Sequence, residues 1–102
     1  MTALEKQFFN EMKEIYHKAA NEINYRPTRF LQMLSEKGGV PTVISLVTKP
    51  GSTEGFIRLW ENQRLDLSVE ALILKNDYKE LFDDAIRQIC ADRLREYGYI
   101  KS

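Results

Sequence analysis

Residues 41–48 read Pro41-Thr42-Val43-Ile44-Ser45-Leu46-Val47-Thr48, and the fold class of the whole chain turns on them. Val43, Ile44 and Val47 are β-branched, so the stretch is readable as a strand. A strand needs a partner, and no other stretch offers one. Gly38-Gly39 precedes the segment and Lys49-Pro50-Gly51-Ser52 follows it. That is the punctuation of a helix entered at a proline and left through a turn. The spacing predicts a helix from Pro41 to about Thr48, with a strand as the open alternative.

Upstream, Pro27 stands where another helix would begin, at a position where its missing N–H does no harm. Phe30, Leu31, Met33 and Leu34 give that helix its apolar face, and Gly38-Gly39 ends it. Before it, Leu4, Phe8, Met12, Ile15, Ala19 and Ile23 keep one helical face apolar for about six turns. Thr2 and Glu5 have the spacing of a capping box. The first helix is expected from Ala3 to Asn24.

Downstream, Ser52 or Thr53 can cap a helix carrying Phe56, Ile57, Leu59 and Trp60, which frays near Asn62-Gln63. Arg64-Leu65-Asp66-Leu67-Ser68 reads as a linker. Ser68 caps a fifth helix from Val69 to about Lys75, and Asn76-Asp77 interrupts it. Tyr78, Leu81 and Phe82 pack a short turn. Asp83 or Asp84 caps the last helix, whose face is Ile86, Ile89, Cys90, Leu94 and Tyr97, and Gly98 stops it. The expected fold is all-α: residues 1–102 as one compact domain of five to six helices, two longer terminal helices flanking short central ones. Short connections favour antiparallel neighbours around one core.

Composition narrows the function classes. The chain has 102 residues, 43% of them hydrophobic and 29% charged, which describes a folded domain. Fifteen basic residues balance fifteen acidic ones, so no global field draws in nucleic acid or an anionic membrane. No apolar run approaches the ~20 residues that span a bilayer, and no membrane partner is expected. The start, Met1-Thr2-Ala3-Leu4-Glu5-Lys6, lacks the basic head and apolar core of a signal peptide. The lone Cys90 forms no intrachain disulfide. A cytoplasmic protein is the expectation.

No catalytic, metal or cofactor signature is present. His17 lies beside the apolar stripe of the first helix with no second ligand near it in sequence. Cys90 falls among apolar neighbours and reads as a small core residue. Glu61, Asp66, Glu70, Asp77, Glu80, Asp83 and Asp84 read as caps and partners of helix dipoles, without a nucleophile beside them. No glycine-rich phosphate loop occurs.

Two features point outward. Trp60, the single tryptophan, follows Phe56 by four residues and is read first as a core anchor, second as a partner-binding hot spot. Arg26, Arg29, Lys37, Lys49, Arg58 and Arg64 flank the short central helices. Gly38 to Lys75 runs helix, turn, helix, linker, helix, loosely like a helix-turn-helix module.

The wording Gly55-Phe56-Ile57-Arg58-Leu59-Trp60, Arg64-Leu65-Asp66-Leu67-Ser68-Val69-Glu70-Ala71-Leu72, Tyr78-Lys79-Glu80-Leu81-Phe82, Ala91-Asp92-Arg93-Leu94 and Tyr97-Gly98-Tyr99 resembles a family of small bacterial helical domains of unknown function. Arg26-Pro27-Thr28-Arg29-Phe30 to Gly38-Gly39 is similar to its front part. The resemblance covers most of the chain after Tyr25. It implies a fold unit, standing alone or appended to other proteins, and no reaction. Arg64 is expected to pair with Asp66 or Glu70 and pin the linker to its helix.

The expected function is a small helical interaction module that binds another protein or itself as a homodimer. One tryptophan, five tyrosines and five phenylalanines exceed what one small core needs. The alternative is nucleic-acid binding through the central helices. Arg26, Arg29, Arg58, Trp60 and Arg64 are the candidate contacts for either.

Overall fold

Thr2 and Glu5 open the first helix as a reciprocal pair: the Glu5 N–H donates to Thr2 Oγ1 and the Thr2 N–H to Glu5 Oε1, both at 3.1 Å. In a computed structural model, which describes residues 2–101, this box starts α1 (Ala3–Glu22). Five more helices follow: α2 (Thr28–Lys37), α3 (Gly39–Val47), α4 (Glu54–Glu61), α5 (Val69–Ile73) and α6 (Asp84–Glu96). Short 3-10 turns lie at Leu65–Leu67 and Asn76–Tyr78, and no strand occurs among the described residues. The fold is all-α.

The stretch at 41–48 is helical. α3 begins two residues before Pro41, at Gly39. Pro41 thus sits in the first turn, where backbone N–H groups have no intrahelical acceptor. Gly38, at φ 83°, reverses the chain between α2 and α3. Gly39 is buried where a Cβ would lie 3.1 Å from the Phe8 ring, so its lack of a side chain sets how closely α3 approaches α1.

Other boundaries shift by a residue or two. α1 ends at Glu22, before Asn24, which turns left-handed at φ 54°. Pro27 lies just outside α2 as its N-cap. Thr53, Ser68 and Asp83 are the caps of α4, α5 and α6, each accepting a backbone N–H two residues into its helix. α5 stops at Ile73, two residues short of Lys75, because Arg87 takes over its end: Nη1 donates to the Ile73 carbonyl at 2.8 Å and Nη2 to Leu74 at 3.3 Å. The expected linker at 64–68 is instead folded, with Leu65 and Leu67 both buried.

α1 is about 30 Å long, and the molecule measures 34 × 30 × 23 Å. It therefore runs through two hydrophobic clusters. Phe8 and Met12 belong to the first, with Leu34, Val43, Val47, Leu72, Ile73, Tyr78, Phe82 and Cys90. Ala19 belongs to the second, with Phe56, Leu59, Leu65, Leu67 and Leu94. Ile15 and Leu74 pack against both. The rings of Tyr78 and Phe82 meet Phe8 edge-on, at 4.9 and 5.2 Å between centroids. No helix among the described residues is long and apolar enough to cross a membrane.

Tyr78 is fully buried, and its hydroxyl donates to Glu11 Oε1. Lys75 Nζ donates to the other carboxylate oxygen at 2.9 Å. Burial opposes the charge on Glu11, but these two donors outweigh it and hold its carboxyl below the usual 4.5. The stabilisation is therefore complete above pH 4.5 and is lost as pH falls through the lower folded value. Urea unfolding across the acid range should show this slope in the native chain and a flatter acid limb in Glu11→Gln.

Candidate functional site

Where α1 ends, the left-handed turn at Asn24 throws Tyr25 toward the first turn of α4. Gly55 makes room for it: a Cβ there would stand 3.1 Å from the Tyr25 hydroxyl. The Arg58 guanidinium lies over the Tyr25 ring, 4.9 Å from its centroid. Burial, reinforced by the charge of Glu54 and opposed by Arg58, pushes the Tyr25 phenol up.

This corner is one wall of an open cleft of about 540 Å³ between α1, the start of α2, the end of α3 and the start of α4. Tyr16, Tyr25, Phe30, Met33, Leu46 and Phe56 give it an apolar lining. Arg26, Arg29 and Lys49 also line it, and all three are exposed at the surface. None of them forms an ion pair among the described residues, whereas Arg64, Lys75, Arg93 and Arg95 all do. A second, more polar groove of about 620 Å³ continues between α2 and α3 and shares Thr28, Arg29, Met33 and Lys49 with the first. Lys37 lines that second groove.

Of the five residues singled out from sequence, Arg26 and Arg29 thus reach the cleft directly, and Arg58 braces its Tyr25 wall. Arg64 stands apart. Its Nη1 reaches Glu22 Oε1 at 2.6 Å, and its Nε and Nη2 grip Asp66 at 3.1 and 3.2 Å. The hydrogen bonds it donates to Asp66 and Glu22 push its pKa up further. The expected pairing with Asp66 forms, and the alternative with Glu70 does not. Arg64 pins its turn to the end of α1.

Trp60 is no core anchor. It is 45% exposed and leans edge-on against Tyr97 at 5.3 Å. The helical wheel explains this. At about 100° per residue, Leu59 lies about 60° to one side of Phe56 and Trp60 about 40° to the other. Phe56 and Leu59 are both buried, which centres the inward face between them and leaves Trp60 at its edge. Tyr99, 48% exposed, is the other large hydrophobic group at the surface among the described residues.

The residue that sequence reading missed is Arg93. Its Nη1 donates to Glu70 Oε2 at 3.0 Å, and its Nη2 donates to the Val47 carbonyl at 3.3 Å. The Glu70 side chain is 3% exposed and that of Arg93 11%. Glu70 was expected as a dipole partner in the first turn of its helix. It is in that turn, but it points inward and lines the cleft floor with Ser68. Burial pushes its carboxyl up, against the pull of Arg93. No local signal marks a pair 23 residues apart; only α6 packing on α5 brings them together.

The remaining chemistry-bearing groups are spread out. Glu61, Asp66, Asp77, Glu80, Asp83 and Asp84 are exposed. His17 is exposed, with its ring edge-on to Tyr16 at 5.5 Å. Cys90 is fully buried; burial, with Glu70 adding to it, pushes its thiol up to about 12. The thiol should resist alkylation in the folded protein and react on unfolding in urea, as iodoacetamide labelling would show.

Removing one partner of a buried ion pair strands the other's charge. Arg93→Met should lower the unfolding free energy by about 3–5 kcal/mol. Glu70→Leu combined with Arg93→Met should return it to within about 1 kcal/mol of the native value. Denaturant titration of the three proteins measures both effects.

Set against models of known protein families, curated proteins and solved structures, the chain matches none of them.

Proposed function

We propose that this chain is a small helical protein-interaction module, and that its cleft receives apolar side chains of a partner. The observation that carries this reading is the cleft itself: aromatic and aliphatic groups line an open groove, with cations at its rim that have no ion-pair partner among the described residues. Clefts of this kind seat ligand side chains, because apolar contact supplies affinity and the charged rim supplies orientation. The aromatic surplus fits the same reading. Tyr16, Tyr25 and Phe30 are only half-buried, and all three face the cleft. In this reading the module is a cytoplasmic domain of the small bacterial helical family that its sequence resembles, and it has no catalytic role. Trp60 and Tyr99, each about half exposed, are the aromatic groups left for pairing with a second copy.

A nucleic-acid reading draws on the same cations. It is the weaker one, because Arg64 is already held by Glu22 and Asp66, and Arg58 lies on Tyr25. Each of its two distinctive contacts is spent inside the protein.

Selection of peptides from a random display library on the immobilised protein tests the proposal. Selected peptides should carry clustered apolar residues and should shift the backbone amide resonances of Thr28, Leu46 and Gly55. Shifts confined to the Trp60 and Tyr99 region would relocate the interaction surface. Salt-sensitive retention of a mixed duplex DNA, lost on replacing Arg58 and Arg64 with alanine, would replace the proposal with nucleic-acid binding.

A further inference from the structure

The chain is neutral overall, but its charge is not evenly placed. Residues 24–49, which include one wall of the cleft and all of the second groove, hold Arg26, Arg29, Lys37 and Lys49 against the single carboxylate Glu36. Residues 76–84 reverse the balance, with Asp77, Glu80, Asp83 and Asp84 against Lys79. In the cleft, Glu70 is neutralised by Arg93. That leaves Glu54, on the first turn of α4, as the one unpaired carboxylate among the described residues that line the cleft, while Glu36 shares the second groove with Arg29, Lys37 and Lys49.

We infer that the partner segment seated in the cleft is acidic: an amphipathic helix with aromatic or aliphatic residues on one face and carboxylates beside them. This deepens the protein-interaction reading and rests on it. Charge complementarity decides the occupant. Arg26, Arg29 and Lys49 line the same cleft as Tyr16, Tyr25 and Phe30 and have no ion-pair partner of their own among the described residues, so a carboxylate arriving there forms its pair without first breaking another. A basic segment would meet three like charges as it desolvates. A neutral segment would bury the apolar contacts and leave the cations unpaired. Apolar residues at helical spacing suit a groove that runs between helices.

Three labelled peptides of about 15 residues share one apolar face of phenylalanine and leucine and differ only in their polar face: glutamate, glutamine or lysine. Fluorescence anisotropy with the full chain at low salt should show the glutamate peptide binding about tenfold or more tighter than the glutamine peptide, with the lysine peptide weakest. The advantage should shrink as salt screens the rim. Arg26→Glu combined with Arg29→Glu changes two exposed side chains and leaves the core intact. In that variant the order should invert, with the lysine peptide gaining and the glutamate peptide losing.

Equal affinity for all three peptides, with Thr28, Leu46 and Gly55 amides still shifting, would overturn the acidic partner and leave the module reading standing. No binding by any peptide would overturn both. Displacement of the glutamate peptide by duplex DNA, or its exclusion by concentration-dependent self-association seen in light scattering, would overturn the inference in favour of nucleic acid or a second copy.

Discussion

The contact between Glu70 and Arg93 ties together α3, α5 and α6 at the edge of the core cluster that they share through Val47, Ile73 and Cys90. α5 is five residues long, far below the length at which a helix sustains itself in water. It persists because its ends and its inward face are taken up by other elements. Arg87 accepts the burden of its last carbonyls, and Arg93 neutralises the carboxylate in its first turn. The second branch of the Arg93 guanidinium reaches the last carbonyl of α3 at Val47. One planar fork thereby fixes α3, α5 and α6 relative to one another, a task that a lysine, with its single ammonium, would perform less well. Burying both ions costs desolvation on each side, and the raised pKa of Glu70 is the mark of it. The pair specifies an arrangement more than it adds stability.

That arrangement positions the cleft. Ser68 and Glu70, together with Val69, form its floor, so the geometry of the α5 start is also the geometry of the groove bottom. Its walls come from elsewhere: the Tyr25 corner, braced by Arg58 and admitted by Gly55, and the opening turns of α2. Thr42, fully buried, ties α3 to α2 through a hydrogen bond to the Met33 carbonyl. The groove is therefore bounded by helix ends together with the connections that join α1 to α2 and α3 to α4, which supply Tyr25, Arg26, Lys49 and Thr53.

Much of this fold is legible in the sequence because its signals are local. The capping box at Thr2 and Glu5, the caps at Thr53, Ser68 and Asp83, and the Gly38 reversal each act within four residues of themselves. The helical reading of Pro41–Thr48 rested on its brackets, not on its own β-branched composition, and α3 follows the brackets. The larger failures are long-range, with Trp60 the local exception. Glu70 and Arg93 look like ordinary surface charges until α6 folds onto α5. Trp60 shares a helical face with Phe56, yet the burial of Leu59 rotates that face away from it. Arg26 and Arg29 could be picked out as candidates, but their grouping with Lys49 around aromatic side chains depends on where α1 stops and how Tyr25 turns.

The cations at the cleft also explain why it stays open. Tyr16, Tyr25, Phe30 and Met33 would gain by closing on one another. Collapse would drag Arg26, Arg29 or Lys49 off water without a counter-charge, a cost that grows steeply with burial. Of the two carboxylates that line the cleft, Glu70 is committed to Arg93, and Glu54 forms no ion pair with any of the three. An open apolar groove is unfavourable for an isolated chain, whereas the exposed rim cations are solvated and cost little until they are buried. An occupant carrying both apolar groups and negative charge would cover the groove and supply the counter-charge that closure within the chain lacks, which is the physical basis of the proposed acidic partner.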